Sequence, residues 1–199
     1  MGLDTLCDTE DETLRTKYEL RINQNLDDME ALINALLNFA RLQHSLNDTE
    51  KSLVNVQTVV SQLCTKANDP RLLLFIEGDE HSVVGHEYYL SLLFSNLVTN
   101  ALKHCNEKVH VTLSQANSAV LVSVEDDGTG IAASEAEKIF KPFVRLAKQT
   151  AASKEGFGIG LALVERITLW LQGDVNVDTS EQLGGAHFVV TLPLLKPSR

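Results

Sequence analysis

The fold is decided by three short segments: NLVTNALK at residues 96–103, DDGTGI at residues 126–131 and GFGIGL at residues 156–161. The first segment is typical of an amphipathic helix, and two strand-like runs separate it from the second. A glycine pair alone marks an ordinary turn, and an asparagine on a helix often faces solvent. The order and spacing of two asparagines, an aspartate and two glycine loops are much harder to obtain by chance.

Together with IFKPFVR at residues 139–145, these segments resemble the N, G1, F and G2 boxes of bacterial two-component sensor histidine kinases. That family belongs to the ATPase superfamily of gyrase, Hsp90 and MutL. The resemblance covers about residues 85–193 and extends weakly over the rest of the chain. It implies a two-layer α/β sandwich of the GHKL or Bergerat type, with a mixed sheet that carries helices on one face. It also implies that residues 48–199 form a catalytic ATP-binding domain.

Composition and charge restrict the possible partners. The chain has 199 residues, 44% of them hydrophobic, which is enough for one globular core and a small appendage. Its formal net charge of −10 argues against a nucleic-acid partner, which requires clustered Lys and Arg. The three cysteines are widely spaced and follow no ligand pattern, so neither a disulfide framework nor a zinc site is predicted.

The sequence contains no apolar run near the roughly 18 residues that a membrane span needs, and its N-terminus does not resemble a signal peptide. With the resemblance, these features imply a soluble cytoplasmic piece of a sensor whose full-length form lies in the bacterial inner membrane.

Residues 11–46 contain no proline or glycine and predict one long helix. Apolar residues recur from Ile22 to Ala40 at alternating spacings of four and three, which is typical of a helical bundle. Such a seam needs partner helices, most simply those of a second copy in a homodimer. The alternative is that the helix packs on its own globular domain. The resemblance identifies residues 1–47 with the second helix of the dimerisation and phosphotransfer hairpin.

None of the six histidines lies in the phospho-acceptor motif of the family, in which an acidic residue follows the histidine and a proline comes later. His86 is followed by Glu87, but Tyr88 and Tyr89 come next and start the following helix. The resemblance therefore implies that the acceptor helix is absent from this chain. It also implies relay of the phosphoryl group to a response regulator receiver domain.

The remaining pattern predicts a succession of short strands and helices. We expect the strand at 72–76 to be buried, and Gly184-Gly185 to form a hairpin turn. The predicted strands are 53–56, 72–76, 109–113, 120–125, 175–178 and 188–192, and the predicted helices are 59–67, 89–104, 135–139 and 158–171.

The helix at 89–104 carries the candidate metal ligand. A carboxamide oxygen can coordinate Mg²⁺, which prefers a few protein oxygens completed by phosphate oxygens and water, and Asn100 is predicted to supply one. Asn96 lies one turn earlier on the same face. Lys103 can reach a phosphate as a point charge, although a solvated helix face is the alternative for this residue. The resemblance implies that His104 also contacts the nucleotide.

Asp126 ends a strongly apolar strand, so its carboxylate is predicted to be buried and to need hydrogen-bond donors. The resemblance implies that the donor is the amino group of adenine. Gly128 and Gly130 then let the backbone pass close to the base, and Ile131 packs on its face. The alternative for this segment is a simple turn cap.

The last glycine segment precedes a predicted helix, so free amides at the helix start can receive phosphate oxygens. A plain helix start is the alternative. The sequence departs from the family here, because Glu155 stands where the first glycine of the box is usual. Residues 146–155 are predicted to form a mobile lid, with Arg145 at its base offering a guanidinium to a phosphate. The resemblance implies nucleotide contacts from Phe140, Gly156, Phe157, Gly158, Ile159, Gly160 and Leu161.

Asn96 stands where relatives that hydrolyse ATP carry a glutamate as general base. An amide cannot take a proton from water at neutral pH, so transfer of the γ-phosphoryl group to a protein is favoured over hydrolysis. Asn96, Lys103 and Arg145 are therefore the candidate catalytic residues, with ATP and Mg²⁺ as the implied cofactors. The alternatives are a serine kinase of the anti-sigma class and a nucleotide-binding or dimerisation module that transfers nothing.

Overall fold

The computed structural model describes residues 12–45, 50–79, 81–116, 118–146 and 157–194. Within these ranges, five strands form one mixed sheet, two strands form a small sheet, and four helices accompany them. The elements in chain order are α1 (Glu12–Ser45), β1 (Ser52–Asn55), α2 (Val56–Ala67), β2 (Leu72–Ile76), β3 (Ser82–Gly85), α3 (Glu87–His104), β4 (Val109–Ala116), β5 (Ala119–Asp126), α4 (Gly160–Trp170), β6 (Asp174–Thr179) and β7 (Ala186–Pro193).

The large sheet has the strand order β2-β4-β5-β7-β6. β2 pairs with β4 in parallel, and the other three pairings are antiparallel. Alternate residues of β4, β5 and β7 are buried, as expected when one face of a sheet is covered. Helices α2, α3 and α4 cover that face through contacts with β2, with β4 and β5, and with β6. The predicted two-layer α/β sandwich with a mixed sheet is therefore confirmed.

Helix α3 supplies much of the core. Leu90, Leu93, Phe94 and Leu97 recur at intervals of three and four, so they lie on one face of the helix and are at most 1% exposed. They belong to the same buried cluster as Phe188 of β7. This packing places the C-terminal end of α3, with its polar residues, beside the end of β5, where His104 lies close to Gly128.

Local capping explains the bounds of α2. The side chain of Asn55 accepts a hydrogen bond from the amide of Thr58 at 2.9 Å, which is the usual role of an N-cap residue. At the other end Asn68 adopts a left-handed conformation, with φ of 46°, and its amide donates to the carbonyl of Cys64. The helix therefore begins at Val56, earlier than the predicted start at residue 59.

Helix α1 extends over Glu12–Ser45 and agrees with the predicted helix at 11–46. Most of its predicted seam is exposed to solvent in this chain, including Leu26, Met29 and Ile33. Leu32 is partly buried and packs against the core, and α1 contacts α4. The alternative prediction was that the helix packs on its own domain. It is correct only for this small contact between α1 and the core, because most of the seam stays exposed. The predicted domain boundary at residues 47 and 48 lies outside the described residues.

The strand predicted at 72–76 is confirmed as β2, but its predicted burial is wrong, and so is the helix predicted at 135–139. The strand at 72–76 was expected to be buried, but Leu73, Phe75 and Ile76 are more than 40% exposed, because β2 is an edge strand with one open face. The helix expected at 135–139 is a series of turns. The carbonyl of Glu135 accepts hydrogen bonds from both Lys138 and Ile139, so a single turn closes but no helix continues from it.

The small sheet contains a strand that the sequence pattern did not predict. β1 pairs with β3 in antiparallel register, with Leu53 opposite Val84. β3 has only four residues, too few to show an alternating pattern. Within the described residues, no helix combines the length and the apolar character that crossing a membrane requires.

The hydroxyl of Thr168 generates a stability prediction. Thr168 is 0% exposed in α4, and its Oγ1 has no hydrogen-bond partner in the described part of the chain. A buried polar group without a partner costs free energy, so Thr168→Val should raise the free energy of unfolding by about 1 kcal/mol. Urea denaturation measures this change.

Val164 provides a matched control because it lies one turn earlier on the same helix and is also 0% exposed. Val164→Thr introduces the defect that Thr168→Val removes, and it should lower the free energy of unfolding by about 1 to 3 kcal/mol. A Thr168→Val variant less stable than the parent chain would contradict the prediction.

Candidate functional site

A cavity of about 590 Å³ lies between α3, the start of α4 and the end of β5. It brings together residues that are distant in the sequence. Its lining includes eleven of the predicted site residues: Asn96, Asn100, Lys103, His104, Asp126, Gly130, Ile131, Arg145, Gly158, Gly160 and Leu161.

Helix α3 presents one polar face to the cavity. Asn96, Asn100 and Lys103 are three and four residues apart, so they lie on one side of the helix. The Nδ2 group of Asn96 donates to the carbonyl of Leu92 at 2.7 Å, which fixes the orientation of this amide. Asn100 is half-buried and Lys103 is exposed. The cavity therefore offers an amide oxygen and a cation along one face of α3.

Asp126 also lines the cavity and is 1% exposed. Its Oδ1 accepts hydrogen bonds from the amides of Gly128 at 2.9 Å and Ala186 at 3.2 Å. Burial raises the pKa of this carboxyl group, while the two amide hydrogen bonds act in the opposite direction and only partly offset it. The site therefore holds a carboxylate whose desolvation is incompletely compensated by the protein, which favours a ligand that donates a hydrogen bond.

His104 lines the cavity near Asp126. Partial burial lowers the pKa of its imidazole, and the charge of Asp126 opposes this effect. The ring is therefore neutral at pH 7 and can pack against an uncharged aromatic ligand.

The start of α4 forms the third wall of the cavity. Gly158 has a φ of 69°, and a Cβ at this position would lie 2.7 Å from the carbonyl oxygen of Val144, so glycine is required there. The helix begins at Gly160 without a side-chain cap from Ile159. Its first amides are therefore not engaged by a cap and can receive an anion.

Four predicted site residues that the structure describes do not line the cavity. Gly128 supports it through the hydrogen bond to Asp126. Phe140 is buried and packs edge-to-face on Phe188, with ring centroids 6.4 Å apart. Ile159 is buried and Phe157 packs against the core. Gly156, like Glu155 and residues 147–154 of the predicted lid, lies outside the described residues.

The cavity is also lined by residues that the sequence analysis did not identify. Thr99 could have been found, because it lies three residues after Asn96 on the same helix. Thr179, Gly184 and Ala186 reach the cavity only because β6 pairs with β7 and β7 pairs with β5, and these pairings leave no local signal. The others are Thr129, Ala132, Glu135, Ile139 and Val144, whereas Leu146, which also lines the cavity, is the described residue of the predicted lid.

The side chains available as metal ligands restrict which metal ion the cavity can hold. No group of three or more His, Cys, Asp or Glu side chains able to hold a metal occurs among the residues that the structure describes. The side chain of Asn100 offers one neutral oxygen in the cavity. This arrangement fits Mg²⁺ held jointly with a polyphosphate, since Mg²⁺ needs few protein ligands when phosphate oxygens are present.

Residues 85–196, more than half of the chain, match the family described as histidine kinase-, DNA gyrase B-, and HSP90-like ATPases. The sensor protein RstB of Escherichia coli is 36% identical over 179 residues, which cover 87% of this chain and 41% of that protein. The alginate biosynthesis sensor protein KinB of Pseudomonas aeruginosa is 32% identical over 181 residues, covering 87% of this chain and 30% of that protein. The chain thus spans less than half the length of these relatives.

Solved structures share the fold. Full-length ShkA in complex with AMPPNP matches with a TM-score of 0.71 at 24% identity, over 100% of this chain and 43% of that one. The Acinetobacter baumannii histidine kinase AdeS matches with a TM-score of 0.71 at 20% identity, over 98% of this chain and 92% of that one.

The raised pKa of Asp126 predicts the pH dependence of stability. Because the folded state binds this proton more tightly than the unfolded state, the stability contributed by Asp126 is complete below the unfolded pKa and is lost as pH rises through the folded pKa. Asp126→Asn cannot titrate. The variant should therefore gain stability relative to the parent chain as pH rises from about 4 to 7, as measured by urea denaturation across that range.

Asp127 is the matched control. Desolvation raises the pKa of its carboxyl group, but hydrogen bonds from the amides of residues 106–107 outweigh this effect, so the pKa is lowered. Its stability contribution is present above the unfolded pKa and is lost as pH falls through the folded pKa. Asp127→Asn should thus have a lower free energy of unfolding than the parent chain at pH 7. If both variants were stabilised, or both destabilised, as pH rises to 7, the opposite pKa shifts assigned to Asp126 and Asp127 would be contradicted.

Proposed function

Because the chain belongs to the family of histidine kinase-, DNA gyrase B-, and HSP90-like ATPases, we propose that it is the ATP-binding kinase part of a sensor histidine kinase. It transfers the γ-phosphoryl group of ATP to a histidine on a dimerisation helix, for relay to an aspartate of a response regulator receiver domain. The observation that carries this proposal is that Asp126, Asn100 and the start of α4 face one cavity of about 590 Å³.

Adenine is recognised at the Asp126 end of the cavity. The 6-amino group of the base donates a hydrogen bond to the carboxylate and supplies part of the compensation that the two backbone amides leave incomplete. Ile131 packs on the base, and the neutral ring of His104 lies at the same end. Gly130 lets the backbone approach the ligand closely.

The phosphates are bound at the other end of the cavity. Asn100 would hold Mg²⁺ through its amide oxygen, with phosphate oxygens and water completing the coordination. The ion would neutralise charge that develops on the phosphoryl group during transfer. Lys103 and Arg145 supply positive charge, and the amides at the start of α4 bind phosphate oxygens.

Asn96 favours transfer over hydrolysis. Its amide cannot take a proton from water, and its Nδ2 group is already bonded to the carbonyl of Leu92. The residue therefore shapes the cavity beside Asn100 without activating a water molecule. The γ-phosphoryl group is preserved until an acceptor side chain approaches.

The long helix supplies the dimer contact in this proposal. Residues 1–47 belong to the dimerisation and phosphotransfer region and residues 48–199 to the catalytic domain. Exposed apolar side chains of α1, among them Leu26, Met29 and Ile33, would be covered by helices of a second copy. The full-length protein would lie in the bacterial inner membrane, with this part in the cytoplasm.

A serine kinase of the anti-sigma class is the alternative enzyme. The 34-residue helix α1 favours the histidine kinase, because a serine kinase has no need of a bundle helix. The two products differ chemically, since phosphohistidine is labile in acid and phosphoserine is stable. Treatment of the labelled acceptor with acid distinguishes the two activities.

Two substitutions should weaken nucleotide binding in different ways. Asn100→Ala removes the metal ligand, so it should weaken ATP binding with Mg²⁺ at least about tenfold and leave adenosine binding unchanged. Asp126→Asn keeps its oxygen on the two backbone amides and puts an NH2 donor in place of the second carboxylate oxygen, so it should weaken both ligands by about tenfold or more. Calorimetry with both ligands measures these effects.

Asn176→Ala is a matched control, because Asn176 is exposed on β6 away from the cavity lining. It should bind both ligands like the parent chain. Equal losses of ATP and adenosine in both site variants would contradict the separate roles, and failure of the parent chain to bind ATP would overturn the proposed function.

The missing acceptor motif generates a further prediction. Since none of the six histidines follows that motif, the chain alone should bind ATP but not label itself. Labelling should appear on an added helical fragment that carries an acceptor histidine, at a low rate because tethering normally supplies a local concentration of about millimolar order. Incubation with ³²P-labelled ATP tests this. Acid-labile label on one of this chain's own histidines would contradict it.

A further inference from the structure

Glu125 is a buried carboxylate to which the proposed function assigns no role. It precedes Asp126 in β5, so the two side chains point to opposite faces of the sheet. Asp126 lines the cavity, whereas Glu125 lies on the open face and is nevertheless only 9% exposed. A carboxylate buried to this degree requires hydrogen-bond donors.

Ser180 supplies the donor. Its hydroxyl donates to Oε2 of Glu125 at 2.5 Å and accepts a hydrogen bond from the amide of Leu183 at 2.9 Å. Its own amide donates to the carbonyl of Gly185, and its carbonyl accepts from the amide of Gly184. Ser180 is 2% exposed, so these bonds are shielded from water. The turn at residues 180–185 is therefore organised by Ser180.

The same turn holds Asp126. The amide of Gly185 donates to the carbonyl of Asp126 at 3.0 Å, and the next amide, that of Ala186, donates to its Oδ1 at 3.2 Å. Gly184 and Ala186 also line the cavity. A continuous path of hydrogen bonds thus leads from Glu125, through Ser180 and the turn, to the carboxylate of Asp126.

We propose that Glu125 and Ser180 are a positioning pair that orients Asp126 and thereby sets the selectivity of the cavity for the 6-amino group of adenine. This inference rests on the proposed nucleotide site. A hydrogen bond to a charged carboxylate is stronger than one between neutral groups, so the pair can fix the turn firmly. A small displacement of the turn would move the carboxylate of Asp126 away from the amino group. A hydrogen bond at this position tolerates only a small change in geometry.

Other titratable groups face Glu125 on the open side of the sheet. Nε2 of His187 lies 4.0 Å from Oε1 of Glu125, and Nδ1 of the same ring lies 2.8 Å from Oδ1 of Asp178. His110 is opposite Glu125 on β4. Substitution of Ser180 leaves all of these charges in place, so it isolates the hydrogen bond from the electrostatics of the face.

The test compares adenosine with purine riboside, which lacks the 6-amino group, by calorimetry at fixed pH. Ser180→Ala should weaken adenosine binding about tenfold, because a shifted turn would move the acceptor out of hydrogen-bond geometry with the amino group. Binding of purine riboside should stay near that of the parent chain. Ser180→Thr keeps the hydroxyl and should restore selectivity. Ser123→Ala is the matched control, since it removes a hydroxyl from the same face of β5.

If Ser180→Ala does not fold, Glu125→Gln provides the test. It should lower the ratio of adenosine affinity to purine riboside affinity by a smaller factor than Ser180→Ala. An unchanged ratio in a folded Ser180→Ala or Glu125→Gln variant overturns the inference. So does an equal loss for both nucleosides, which would indicate a purely structural role. Failure of the parent chain to bind either nucleoside would instead overturn the proposed nucleotide site.

Discussion

The structure depends on one buried charge, the carboxylate of Asp126 at the end of β5. Taking a carboxylate out of water is costly unless donors replace the lost hydration. The protein supplies two backbone amides, those of Gly128 and Ala186, from segments that are far apart in the sequence. Because the pKa of the group is still raised, this replacement is incomplete. The fold therefore keeps a specific acceptor available to a ligand at the expense of its own stability.

Strand register determines which carboxylate occupies the cavity. Glu125 and Asp126 are adjacent, and residues of β5 alternate between the helix-covered face and the open face. A slip of one residue would bring Glu125 to the cavity and send Asp126 to the open face. The central position of β5, between β4 and β7, prevents this slip because its apolar residues Val122 and Val124 must stay under α3. Hydrophobic burial and the presence of Asp126 in the cavity lining thus depend on the same register.

The residues that could be predicted from the sequence are those whose position follows from local structure. Asn96, Asn100 and Lys103 share a face because of the helix repeat, and the start of α4 follows from the glycines before it. Thr179 and Ala186 could not be predicted, because they reach the cavity through the pairing of β7 with β5. The exposure of Leu73 and Phe75 was missed for the same reason, since an apolar run does not reveal that its strand lies at a sheet edge.

In the proposed nucleotide site, the overall charge of the chain constrains phosphate binding differently from adenine binding. With a net charge of −10, the mean field of the protein repels a polyphosphate. This repulsion is screened beyond a Debye length of about 8 Å at physiological ionic strength, whereas contacts inside the cavity are screened much less. In the proposed site, phosphate binding would therefore come from short-range groups: Lys103, Arg145 and the amides at the start of α4. These groups belong to local segments of the chain, whereas the proposed adenine acceptor, Asp126, is held by the pairing of β5 with β7, so the two parts of the proposed site can change independently.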